Sequence, residues 1–141
     1  MRAPSVLFVC ARNAVRSPMA QALWLDRFGP DGVAHSCGID PAAWPDGFMI
    51  SVMDEIGHDL SDFACRDIQE AADDPVELVI CLAEEAHGAA SAFAERRGAD
   101  YALWPIGDPT RAQGRRDVQL GAYRAARDAV AAHINSFGQT D

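Results

Sequence analysis

No lysine occurs in this chain. All twelve basic residues are arginine, set against twenty-one acidic ones, for a formal net charge of −9. The missing lysine carries little weight for function. The shortage of positive charge carries more, because nucleic-acid binding needs a basic face, so no nucleic-acid partner is expected. The four cysteines, Cys10, Cys37, Cys65 and Cys81, form no CxxC pair. That excludes a zinc ribbon or a thioredoxin-type motif, and the wide spacing reads as reduced and intracellular. The four histidines show neither HExxH nor paired spacing, so surface or capping roles suffice and no metal site is expected. Long apolar runs are missing too. Val6–Val9 is far too short for a signal-peptide core, and nothing approaches the roughly 20 apolar residues that span a bilayer. A soluble, cytoplasmic protein with no membrane partner is the expectation. Repeats, low-complexity tracts and linkers are absent, so residues 1–141 are read as one domain with its own core.

What is present alternates strand and helix. Ser5–Val9 is continuously apolar, as in a strand buried on both faces. Ser17 can act as N-cap with Pro18 opening a helix that runs to Phe28 and stops at Gly29-Pro30. Val33–Cys37 reads as a second strand, Asp46–Ile56 as a helix closed by Gly57, and Ser61–Ala71 as another capped by Ser61. Glu77–Leu82 is a third buried strand, Glu84–Arg97 a helix ended by Gly98, and Tyr101–Trp104 a fourth strand. A polar loop, Pro105–Gly114, leads to a last helix with Leu120, Tyr123, Val130 and Ile134 on one face. The βαβ alternation predicts an α/β three-layer sandwich around a four-stranded parallel sheet. Ligands in such sheets bind beyond the carboxyl ends of the strands, near the switch in strand order, and Cys10 sits at such an end.

The segment Cys10–Ser17, "CARNAVRS", fits a phosphate cradle. The backbone N–H groups of Ala11, Arg12, Asn13, Ala14 and Val15, with those opening the helix, make a concave anion site. Arg16 adds a bidentate fork to two phosphate oxygens. The same field favours a thiolate at Cys10, and the Ser17 hydroxyl can donate to that sulfur. Asn13 suits a loop position with positive φ. A bare Cys-x5-Arg would equally fit an ordinary buried cysteine; the strand before it, Ser17 and the Ser-Pro start after it favour the anion site.

"FVCARNAVRSPMA" resembles the signature of the low-molecular-weight protein tyrosine phosphatase family and of the related thioredoxin-coupled arsenate reductases. "SCGI" at Ser36–Ile39, "GHDLSDFACRDI" at Gly57–Ile68, "ELVICLAEEAH" at Glu77–His87 and "WPIGDP" at Trp104–Pro109 extend the likeness over essentially the whole chain. The resemblance implies Cys10 as nucleophile, Arg16 as phosphate clamp and Asp108, in the Asp-Pro beyond the fourth strand, as general acid. It implies Ser36 as support for the loop through Asn13. Asp46 in "AWPDG" imitates the acid loop of larger phosphatases, but it follows the cysteine instead of preceding it and is read as an N-cap. The implied activity is a phosphomonoesterase working through phosphocysteine, with no metal or organic cofactor. Its partners would be a phosphorylated protein or small phosphomonoester, and inorganic phosphate or other oxyanions in the loop.

Several positions depart from the family pattern. Thr110 and Arg111 stand where aromatic residues often follow the Asp-Pro. Trp44 is either an aromatic wall or a core side chain, and Arg12 either a clamp for a second acidic group or a solvated residue. Asp62 replaces a histidine of some relatives. Val15 stands where some phosphatases carry a guarding cysteine, which predicts slow recovery of Cys10 from oxidation unless Cys37, Cys65 or Cys81 is near. Arsenate reductases of the relay type need two more cysteines after the third strand. The relay position is Ala83 here, and Glu84–Ala94 contains no cysteine. Two readings therefore stand beside the phosphatase: an arsenate reductase using an external thiol, and a non-catalytic phosphate-binding module.

Overall fold

The structure is a computed structural model that describes residues 3–29 and 32–137. Its centre is a sheet of β1 (Val6–Cys10), β2 (Ala34–Gly38), β3 (Leu78–Cys81) and β4 (Asp100–Leu103), all parallel, in the order β2-β1-β3-β4. β1 and β3 are buried along their whole length, which explains why they read as unbroken apolar runs. Phe8 packs edge-on to Trp24 at 5.8 Å between ring centroids. Burial of such a side chain contributes about 1.5–3 kcal/mol.

The helices are α1 (Arg16–Phe28), α2 (Gly47–Asp54), α3 (His87–Arg97) and α4 (Arg116–Ser136). α1 rests on β1 and β2, and α3 on β3 and β4. Strand order explains this layering. The chain steps from β1 to β2 in one direction and from β3 to β4 in the other, so right-handed crossovers place α1 and α3 on opposite faces. The direction reverses between β1 and β3, and Cys10 ends β1 at that switch. A second apolar cluster, with Val15, Met19, Met49, Met53 and Tyr123, joins the loop after β1 to α2 and α4.

Three expected boundaries are corrected. Ser17 does not cap α1: the helix already includes Arg16, Val15 holds the cap position, and no side chain caps it. The Ser17 hydroxyl turns to Cys10 instead, 2.9 Å from its sulfur. Gly29 does end α1, its N–H bonded to the Leu25 carbonyl; Pro30 lies outside the described residues. No α-helix spans Ser61–Ala71. Ser61 turns back on Asp59 through its N–H and hydroxyl, and only Ile68–Ala71 winds, as a 3-10 turn with an Asp67–Glu70 capping box. Glu84–Ala86 is likewise a 3-10 turn before α3, which Gly98 closes at φ +65°. Asp46 caps α2 as expected, accepting from the N–H groups of Phe48 and Met49.

Candidate active site

The loop from Ala11 to Val15 wraps against the segment after β2. The carbonyls of Cys10, Ala11, Arg12 and Ala14 accept from the N–H groups of Ile39, Asp40, Ala42 and Asp46, at 3.2, 2.9, 2.9 and 3.1 Å. In a trans peptide the C=O and the next N–H point opposite ways. Turning these carbonyls outward therefore turns the N–H groups of Ala11, Arg12, Asn13 and Val15 inward, a concave arrangement that can hold an anion. Contact is close enough to require glycine at 38, where a Cβ would lie 2.7 Å from the Ala11 carbonyl oxygen. Asn13 adopts the left-handed φ of 54° that its residue type tolerates.

Two groups converge on the Cys10 sulfur: the Asn13 N–H donates to it at 3.3 Å, and the Ser17 hydroxyl shares a hydrogen bond with it at 2.9 Å, a bond in which a thiolate accepts. Behind the loop, the Asn13 amide nitrogen donates to Ser17 Oγ at 2.8 Å and to Ser36 Oγ at 3.0 Å. The Ser36 hydroxyl in turn donates to Gln21 Oε1 at 2.6 Å. The Asn13 carboxamide oxygen accepts the Arg66 backbone N–H at 2.7 Å. Asn13, Ser17 and Ser36 are all buried, so this network is shielded from water.

Over the loop opens a cleft of about 520 Å³, into which Cys10, Ala11, Arg12, Ala14, Val15, Arg16 and Asp108 all face. The buried Arg16 guanidinium donates to the Ile106 carbonyl at 2.9 Å and lies 3.8 Å from Glu85, linking the loop after β1 to the loop after β4. Asp108 accepts the N–H and hydroxyl of Thr110 at 2.9 and 2.6 Å. Partial burial raises its pKa, but the Thr110 hydrogen bonds and the charges of Arg16 and Arg111 outweigh it and leave the carboxyl below its ordinary value. The carboxylate of Asp46, besides capping α2, accepts the Tyr123 hydroxyl at 2.9 Å and reaches the cleft wall.

All the sequence-predicted residues thus meet, seven at the cleft and Asn13, Ser17 and Ser36 behind it. Trp44 is 78% exposed on the cleft rim, so it is no core side chain. Arg12 lies on the rim too, paired with Asp40 at 2.7 Å. Sequence reasoning missed Gln21, Arg66 and Glu85. The first lies one helical turn beyond Ser17, a spacing that could have shown it; Arg66 and Glu85 arrive from distant segments with no local signal. The other cysteines are free. Cys37 and Cys81 are fully buried in β2 and β3, and burial pushes both thiols up; partial burial does the same at Cys65.

The family described as low molecular weight phosphotyrosine protein phosphatase matches residues 5–135. An arsenate reductase of Halalkalibacterium halodurans is 27% identical over 135 residues, covering 96% of this chain and 95% of the relative. Among solved structures, an arsenate reductase in the phosphate-binding state superposes with a TM-score of 0.78 at 23% identity, covering 95% of both chains. A low-molecular-weight protein tyrosine phosphatase from T. tengcongensis also gives 0.78, at 20% identity over 97% of this chain and 99% of that one.

Proposed function

Because the chain belongs to the low-molecular-weight phosphotyrosine protein phosphatase family, we propose that it is a cysteine-dependent phosphomonoesterase acting through phosphocysteine. One observation carries the reading: a cysteine hydrogen-bonded by the Asn13 N–H and the Ser17 hydroxyl stands at the base of a cleft shared with a buried arginine and an aspartate. Cys10 thiolate attacks phosphorus in line while Arg16 and the inward N–H groups hold the equatorial oxygens. The P–O bond to the leaving group breaks as Asp108, protonated for this step, gives that oxygen its proton. A water then attacks the phosphocysteine and loses a proton to the Asp108 carboxylate. The P–S bond breaks, and the thiolate returns with the Ser17 hydroxyl donating to it. The products are an alcohol and inorganic phosphate.

The rim bears on the substrate. Thr110 and Arg111 give no aromatic pair after the Asp-Pro, so among the described residues Trp44 is the single aromatic lining the cleft. That favours a phosphorylated protein or small phosphomonoester with a modest leaving group over a strict phosphotyrosine preference.

Arsenate reduction is the second reading, favoured by the name of the 27%-identical relative. It would need an external thiol to supply its two electrons. Glu84–Ala94 contains no cysteine, and Cys81 is buried with its thiol donating to the Ala83 carbonyl at 3.1 Å. The deciding experiment is hydrolysis of an aryl phosphate by wild type and Cys10→Ser from pH 5 to 8, with thiol-dependent arsenite production assayed in parallel. Hydrolysis lost in Cys10→Ser without arsenite production supports the phosphatase. Arsenite production without hydrolysis replaces that reading with the reductase, and neither activity in folded, reduced protein leaves a phosphate-binding module.

A further inference from the structure

The Asn13 carboxamide stands between the Cys10 loop and the rest of the molecule, and its orientation decides where protons point. Its NH₂ group donates both protons, to Ser17 and Ser36. With one lone pair of Ser17 Oγ so occupied, its hydroxyl hydrogen has two acceptors, the Cys10 sulfur at 2.9 Å and the Cys37 carbonyl at a longer 3.4 Å. If the carboxamide rotated by half a turn, its oxygen would face Ser17 and draw that hydrogen away from Cys10. Two contacts oppose the rotation: Ser36, whose hydroxyl hydrogen goes to Gln21, can only accept from the NH₂ group, and on the other side the Arg66 N–H donates to Asn13 Oδ1 at a short 2.7 Å.

That N–H is held in place by its own side chain. The Arg66 guanidinium donates to the Ser36 carbonyl through Nε at 3.1 Å and Nη2 at 3.0 Å. It also forms a two-pronged contact with Asp74, at 2.6 and 3.4 Å, and reaches the Glu70 carbonyl at 3.5 Å. The backbone is fixed as well: Gly38 N–H donates to the Arg66 carbonyl at 2.8 Å, and Gly38 pairs with Asp67 in a parallel bridge. Residues 66 and 67 thus extend the sheet past β2 for a single rung, just where their N–H meets the loop. His35 faces Asp74 at 3.9 Å from the neighbouring strand.

We propose that Arg66, anchored by Asp74, is a positioning residue for Cys10: it locks the Asn13 carboxamide so that the Ser17 hydroxyl stays aimed at the sulfur. This rests on Cys10 being the nucleophile, but it holds for hydrolysis and arsenate reduction alike. It concerns the sulfur's reactivity and not the reaction that follows.

The test is the rate of carboxamidomethylation of Cys10 in the full chain from pH 5 to 9, followed on the Cys10 peptide by mass spectrometry. Because no turnover is required, failure here is distinguishable from failure of the phosphatase reading. Ser17→Ala removes the final donor and sets the scale. Arg66→Ala is expected to displace the rate profile toward higher pH in the same direction, slowing alkylation at pH 6 by about threefold to tenfold, the worth of one hydrogen bond. Combining it with Ser17→Ala should slow the reaction no further than Ser17→Ala alone, since both act through the same hydroxyl. Arg66→Lys should recover part of the loss. If Arg66→Ala fails to fold, Asp74→Asn weakens the anchor while keeping its shape and is read in the same way. A variant that lowers the melting temperature with the pH profile unmoved, or an effect that adds in full to Ser17→Ala, overturns the proposal.

Discussion

In the proposed mechanism Asp108 is an acid in one step and a carboxylate in the next, yet the Thr110 N–H and hydroxyl both donate to one of its oxygens, Oδ1, and so favour the carboxylate. Its lowered pKa makes the protonated form the scarce one at neutral pH. Proton donation uses that scarce form, whose share falls as pH rises, so turnover limited by leaving-group protonation should decline with increasing pH. Thr110→Val removes the 2.6 Å hydroxyl donor and so raises the pKa. The descending limb of kcat against pH should then move to higher pH, and kcat at pH 7 should rise for substrates with a poor leaving group. Asp108→Asn should lower kcat about 10²–10⁴-fold with phosphate binding retained. An unchanged kcat would assign the proton to another group, and an unmoved limb would mean that Thr110 does not govern it.

At the scale of elements, the C-terminal end of α2 is tied to the middle of α4. Glu55, at the C-cap of α2, accepts from Arg124 and Arg127 of α4, the shortest contact being 2.6 Å. The Arg124 and then the Arg127 hydrogen bonds lower its pKa from 4.5 to about 2. A depressed pKa stabilises the fold above the unfolded value, near 4.5, and that contribution fades as pH falls toward 2. Wild type should therefore melt above Glu55→Gln at pH 6 by a small, salt-sensitive margin, and the margin should shrink between pH 4.5 and 2.5. Melting curves of both proteins across that range check it; a margin independent of pH would mean that the charge is not what ties the helices.

Elements also mark how far the sequence could be read. β1 and β3 were legible because burial on both faces writes an unbroken apolar run. The Asp46 cap and the Gly98 terminus were legible because each acts on its own neighbours. Ser61 misled for a non-local reason: the chain beyond it is drawn to β2 by the Gly38–Asp67 bridge and by Arg66, which no local pattern announces. At the site the same division holds. Cys10, Asn13, Arg16 and Ser17 fall within one eight-residue run, whereas Arg66 reaches Asn13 from 53 residues away.

The whole molecule is acidic, yet its cleft gathers groups of the kind that can hold an oxyanion, and Arg16 connects the two loops that frame it. Binding of inorganic phosphate should consequently stabilise the complete fold and not the loop alone. At a phosphate concentration 100-fold above Kd the stabilisation is about 2.7 kcal/mol, which for a domain of this size raises Tm by roughly 5–12 °C. Arg16→Ala should abolish most of that rise, because the fork is lost and the Ile106 carbonyl loses its donor. Cys10→Ser should keep it, since the inward N–H groups and Arg16 remain. Scanning calorimetry with phosphate, and with chloride at equal ionic strength, separates binding from general salt effects. Equal shifts in both salts, or a full phosphate shift in Arg16→Ala, would show that the cleft is not where phosphate is held.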